Sequence, residues 1–92
     1  MAQTFVWDGR KAIENRAKHG VSFETACEPF FDQWSAFVDA GADEESRLAV
    51  IGLSERRKLL YVVHVLRETN AIRIISAREA TTPERRIYED GE

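Results

Sequence analysis

Arg67, Arg73, Arg78, Arg85 and Arg86 surround one stretch, Ala71 to Tyr88, that reads as a strand, a short turn and a terminal helix. A guanidinium at a strand end presents a fixed, planar set of donors to a phosphate or a carboxylate. Glu84 and Tyr88 are four residues apart and share one face of the terminal helix. Near the other end of the chain Lys11, Asn15 and Lys18 fall at i, i+4 and i+7, with His19 beside them. These residue types could cleave RNA without a metal. The substrate's own 2′-hydroxyl attacks, so a protein need only orient the chain, stabilise charge on the phosphorane and move protons. Residue types alone favour a plainer reading, in which the arginines pair with Glu14, Glu68, Glu79 or Glu84 and hold the termini onto a sheet. For the Lys11, Asn15 and Lys18 face the plain reading is a solvated helix surface.

Composition narrows the field. Ninety-two residues with 43% hydrophobic content suit a single domain, 1–92, with one core. The net charge of −3 argues mildly against a general nucleic-acid binder, but the charge is segregated. Residues 54–79 carry six basic and three acidic side chains, whereas Asp39, Asp43, Glu44 and Glu45 gather acids into one short stretch. Distribution is therefore the better guide. Cys27 is the single cysteine, which excludes an internal disulfide and leaves no partner cysteine for a zinc ribbon or finger. No phosphate-binding glycine loop, HExxH motif or calcium-type carboxylate spacing occurs, so no metal or cofactor is expected. With no signal-like or transmembrane-length apolar run, the expected setting is the cytosol, without membrane contact.

The elements that would position these groups follow from local signals. Thr4 to Trp7 reads as an edge strand. Asp8 caps a helix running to about Lys18 and stopping at Gly20. Ser22 opens a second helix whose Phe23, Ala26, Cys27 and Phe30 form a core-facing stripe, and Pro29 ends or kinks it. The period then changes to two. Strands over Trp34–Asp39, Arg47–Leu53, Leu59–Leu66 and Ala71–Arg78, joined by short polar loops, predict an antiparallel meander. The strand Leu59–Leu66 is apolar on both faces except at His64, so it belongs at the centre, with His64 as a hydrogen-bonded core residue. Thr81-Thr82-Pro83-Glu84 is a helix start. The expected fold is α+β, a small antiparallel sheet with two N-terminal helices and one C-terminal helix.

The run Phe5-x-Trp7-Asp8, Lys11, Asn15, Lys18-His19-Gly20-Val21-Ser22-Phe23-Glu24, Ala26 and Phe31-Asp32 resembles the BrnT toxin family. The later run Ile72-Arg73-Ile74-Ile75-Ser76-Ala77-Arg78, Ala80, Glu84-Arg85 and Tyr88 continues the match, which covers nearly the whole chain. The resemblance implies a RelE-like fold and a ribonuclease toxin of a type II toxin–antitoxin module that inhibits translation in the bacterial cytoplasm. It implies a ribbon–helix–helix antitoxin of the BrnA kind, with two toxins bound to an antitoxin dimer, DNA reached only through the antitoxin, and RNA as substrate. Among matching positions Lys18, His19, Arg67, Arg78, Glu84 and Tyr88 are the expected catalytic residues. Arg67 and Arg78 would stabilise phosphate, His19 or Glu84 move protons, and Tyr88 stack or donate. Lys11, Arg73 and Arg85 would bind substrate. Glu79 and Val65-Leu66 depart from the family's pattern and lower the local positive potential. The alternative is a catalytically weak module that holds the antitoxin and tunes its DNA binding.

Overall fold

The computed structural model of the chain describes residues 3–41 and 46–91. The expected acids Asp43, Glu44 and Glu45 lie outside these residues. In chain order the elements are β1 (Thr4–Val6), α1 (Gly9–His19), α2 (Phe23–Ala26), β2 (Ala36–Gly41), β3 (Arg47–Leu53), β4 (Leu59–Arg67), β5 (Ala71–Glu79) and α3 (Thr82–Asp90). Short 3-10 turns occupy Glu28–Phe31 and Glu68–Asn70. The second helix is thus only one turn long, and Pro29 sits in the first turn of the 3-10 segment that follows it.

The strands form one five-stranded sheet in the order β1-β5-β4-β3-β2. The meander from β2 to β5 is antiparallel as expected, with two-sided β4 at its centre. One expectation is overturned: the sheet is mixed, because β1 pairs with β5 in parallel. From β1 the chain crosses the sheet through the helices and enters at the opposite edge. Its first strand therefore meets the last one across more than sixty residues, a pairing that no local pattern encodes.

Alternation divides the sheet into two faces. One carries Val50, Leu60, Val62, Ile72, Ile74 and Ala77, packed under Val21, Phe23 and Ala26. Gly52 lies on this face where it must: an added Cβ would stand 2.8 Å from the carbonyl oxygen of Pro29. The other face carries Ile51 and Tyr61, and α3 packs against β3 there. The register between β4 and β5 shifts between Val63 and His64, so Val63 pairs with Ser76 while His64 pairs with Ile74. The extra β5 residue, Ile75, makes a β-bulge, and the side-chain period changes phase across it.

A polar side chain fastens the helical layer. The amide of Asn15 donates to the carbonyls of Val21 and Ala77, each at 2.9 Å, and its oxygen accepts from the Ala77 N–H at 3.1 Å. Asn15 is buried, which corrects the expectation of a solvated Lys11, Asn15 and Lys18 face. Lys11 and Lys18 themselves are exposed. Removing the amide would leave three main-chain groups without partners in a dry place, where each unmet bond is expensive. We predict that Asn15→Ala lowers unfolding free energy by about 2–4 kcal/mol, read from urea denaturation. A loss smaller than about 1 kcal/mol would mean that water replaces the clamp.

Candidate functional site

The bulge decides which arginines share a surface. Arg73 and Arg78 are five positions apart and would face opposite ways on a regular strand. With Ile75 as the extra residue, Arg73 pairs with Val65 and Arg78 with Tyr61. Tyr61, Val65 and Arg67 alternate onto the same side of β4. Arg67, Arg73 and Arg78 therefore lie on the sheet face opposite α1 and α2. A bulge leaves almost no local signature, so the register that brings these arginines onto one face is not legible in the sequence.

Arg78 is the best ordered of the three by chemistry. Its Nη1 donates to Glu84 Oε1 at 2.8 Å and to the Glu79 carbonyl at 3.1 Å, and its Nη2 donates to Glu84 Oε2 at 2.9 Å. The guanidinium carbon stands 4.3 Å from the ring centroid of Tyr61, a cation–π arrangement. Glu84 in turn accepts from the Thr81 N–H at 2.9 Å, and Thr81 Oγ1 accepts from the Glu84 N–H at 3.4 Å. This capping box starts α3 and fixes the carboxylate that holds Arg78. The bonds to Arg78 depress the Glu84 carboxyl below its ordinary range against the opposing effect of burial, and the same bonds raise the Arg78 guanidinium.

The remaining expected residues lie elsewhere. The Tyr88 hydroxyl donates to Asp32 Oδ2 at 2.6 Å, and the same oxygen accepts from the Leu53 N–H at 2.8 Å. Burial alone would raise the Asp32 carboxyl, but these bonds and the Trp34 N–H bring it below its ordinary value. Asp32 is the partner that sequence reading missed. Arg67 and Arg73 border a shallow depression of about 330 Å³ with Val6, Trp7 and Asp8. Asp8 caps α1 by accepting from the Lys11 and Arg10 N–H groups, which lower its carboxyl, with smaller help from the charges of Lys11 and Arg73. Lys18 and Arg85 are exposed on their helices. His19 lines a separate polar cleft of about 520 Å³ on the helical side, with Arg16, Arg56, Lys58 and Glu79. The nine candidates thus do not converge on one point: Arg67, Arg73 and Arg78 share a sheet face, with Glu84 bonded to Arg78, and His19 faces a different cavity.

Cys27 is half-buried and donates to the Phe23 carbonyl at 3.3 Å. Burial, with Glu24 and Glu28 nearby, pushes its thiol up to about 11, so it stays protonated and unreactive.

Fold and surface together define a small α+β domain with α1 and α2 on one side of a mixed sheet and, on the other, α3 and the aligned arginines. The chain matches, over residues 7–84, the family described as ribonuclease toxin, BrnT, of type II toxin–antitoxin system, and it belongs to that family. It is also similar to the crystal structure of the Brucella abortus ribonuclease toxin BrnT, with 27% identity and a TM-score of 0.72. That likeness covers 88% of this chain and 100% of the other. Comparison with proteins of curated function gives no significant match. Among the described residues no helix is long and apolar enough to cross a membrane.

The Arg78–Glu84 pair carries a pH signature. Glu84 has a folded-state value below the unfolded one, so the pair's contribution is complete above the unfolded value and is lost as pH falls through the folded one. Glu84→Gln keeps the capping box while removing the charge. It should cost about 1 kcal/mol at neutral pH, a figure discounted for the part-exposed guanidinium, and the cost should fade as pH falls through the folded-state value of Glu84. Urea midpoints of parent and variant across pH test this. A constant difference at every pH would remove the ion pair as the cause.

Proposed function

We propose that this chain is the toxin of a type II toxin–antitoxin pair, a metal-independent endoribonuclease of the bacterial cytoplasm that stops translation by cutting RNA. With this reading go a fold of RelE type, a ribbon–helix–helix antitoxin of the BrnA kind and assemblies of two toxins on an antitoxin dimer. DNA is reached only through that antitoxin. The observation that carries the reading is the arginine face: a bulge aligns Arg73 with Arg78, and Arg78 is bonded by Glu84 and stands over the Tyr61 ring.

The chemistry follows from that arrangement. Three of the five guanidinium N–H donors of Arg78 are used within the chain, so it can still bond a phosphate while its plane stays fixed. Arg73, and Arg67 further along the face, extend positive charge in the direction a phosphodiester backbone would run. The 2′-oxygen attacks phosphorus as the bond to the 5′-oxygen breaks, giving a 2′,3′-cyclic phosphate and a 5′-hydroxyl. Glu84 takes the 2′-proton, the Tyr61 hydroxyl gives one to the departing oxygen, and water returns the proton from Glu84 to the phenolate. Arg78 and Arg73 stabilise the added charge on the phosphorane. Tyr88 serves by docking α3 through Asp32.

A second reading, the antitoxin-holding module with little nuclease activity, is favoured by one feature. Arg78 and Tyr88 already have partners inside the chain, as structural clamps would. Purified protein acting on RNA in the presence of a chelator separates the two. We predict cleavage with cyclic-phosphate ends, reduced about 10²–10³-fold by Arg73→Ala and by a similar factor in Tyr61→Phe, which keeps the ring and loses the proton. His19→Ala should cut like the parent. Intact RNA with the parent protein would leave the binding-module reading in place. Loss of activity in His19→Ala alone would move the chemistry to the polar cleft.

A further inference from the structure

At the end of the helical face that α1 and α2 leave uncovered, His64 lies at the edge of an apolar hollow of about 280 Å³, lined also by Phe31, Phe37, Leu48, Leu66 and Ile72. Three of these are large apolar side chains facing solvent: Phe31 is 72% exposed, Leu66 61% and Phe37 54%. Such convergence of exposed apolar surface at one mouth marks an interaction site more often than chance. His64 is fully buried, wedged edge-on between Phe30 and Phe37 with ring centroids 4.8 and 5.9 Å away. Its Nδ1 faces the Val62 carbonyl at 3.1 Å. A carbonyl can only accept, so Nδ1 carries the proton and Nε2 presents a lone pair. That Nε2 is buried with no hydrogen-bond partner. The residue that carries it is one of those lining the hollow. A buried acceptor left unmet is costly to keep, and the cost disappears if something that can donate is placed over it.

The hollow continues into a basic margin. Leu66 and Ile72 also border the adjoining depression with Arg67 and Asn70, and Arg67 makes no ion pair among the described residues. At about 280 Å³ the hollow is below the usual range of roughly 300–1,000 Å³ for small-molecule sites. It fits one inserted side chain better than a free ligand.

We infer that this hollow is where the antitoxin docks, through a segment that inserts a tyrosine or tryptophan, donates its hydroxyl or indole N–H to His64 Nε2, and sets an acidic residue against Arg67. This rests on the toxin reading and deepens it by assigning the partner's contact surface. Apolar area supplies the affinity, the buried acceptor selects an aromatic donor over a plain hydrocarbon, and Arg67 fixes the direction of the segment. Phe37 stands on the edge strand β2 and is half exposed beside His64, with ring centroids 5.9 Å apart. The hollow opens on the helical face, and Arg67, through the adjoining depression, joins it to one end of the arginine face. A bound segment would therefore meet that face at its Arg67 end.

The test is titration of the purified chain with the purified ribbon–helix–helix protein of the adjacent gene, followed by calorimetry, with chain-alone sedimentation as a control. Leu66→Glu, an exposed change with little reason to disturb folding, should weaken binding at least 30-fold, and Arg67→Ala about 5-fold. His64→Leu should weaken it about 10-fold without lowering the melting temperature, which separates recognition from folding. Parent-like affinity in Leu66→Glu and His64→Leu overturns the inference while leaving the toxin reading intact. Absence of any binding by the parent chain overturns both. A chain that dimerises by itself and becomes monomeric with Leu66→Glu gives the hollow to a second copy and overturns the antitoxin assignment.

Discussion

The fold depends on one amide. Asn15 reaches from the middle of α1 to both main-chain groups of Ala77 and to the carbonyl of Val21. It therefore ties the first helix, the loop that ends it and the last strand in a single set of bonds. Ala77 sits just past the bulge in β5, where side-chain phase has changed and the ladder is locally irregular. Its main-chain N–H and C=O bond Asn15, on the helical side. The clamp thus stabilises the register on which the far face depends. If β5 slipped by one residue, Arg78 would turn toward the helices and Ala77 would leave the core. A side chain on one layer in this way fixes the chemistry of the other.

On that other face the connections are ionic and local. Thr81 and Glu84 cap α3, Glu84 holds Arg78, and Arg78 lies on Tyr61 of β4. At the far end of the helix Tyr88 meets Asp32, which also accepts from the main chain of β3. These two attachments hold a short helix that has no fully buried side chain. In such a helix packing supplies little of the docking energy, so polar contacts at both ends carry more of it than usual. The same contacts leave Arg78 rigid, and for phosphate chemistry a rigid donor has the advantage that little ordering remains when the substrate arrives.

What the sequence reveals follows from how far each signal reaches. The caps at Asp8 and Ser22, the helix start over Thr81-Thr82-Pro83-Glu84, the αL turn at Gly20 and the meander from β2 to β5 are set by neighbours within a few residues, and they were legible. So was the burial of β4, because an apolar run on both faces admits few other places. The parallel β1–β5 pair, the inward turn of Asn15 and the bulge at Ile75 each depend on partners about sixty residues away or on a register that no motif marks. The candidate site divides along the same line. Glu84 as the partner of Arg78 was among the pairings that residue types allowed, and Tyr88 was singled out. Its partner Asp32 was not, since 56 residues separate them and nothing in the local spacing joins them.

His64 illustrates the difference between a residue's place and its state. An isolated histidine in an apolar strand reads as a hydrogen-bonded core residue, and the Val62 carbonyl makes it one. Satisfying one ring nitrogen leaves the other, however, and a neutral imidazole always has one acceptor to place. Burial lowers the proton affinity of the ring, outweighing the opposing bond to Val62, so protonation does not relieve the mismatch at neutral pH. A hydrocarbon at position 64 would fill the same space without that penalty. A histidine at the edge of an apolar hollow is a cost to the folded chain that folding alone does not explain. A donor from outside the chain, as proposed above, would offset it.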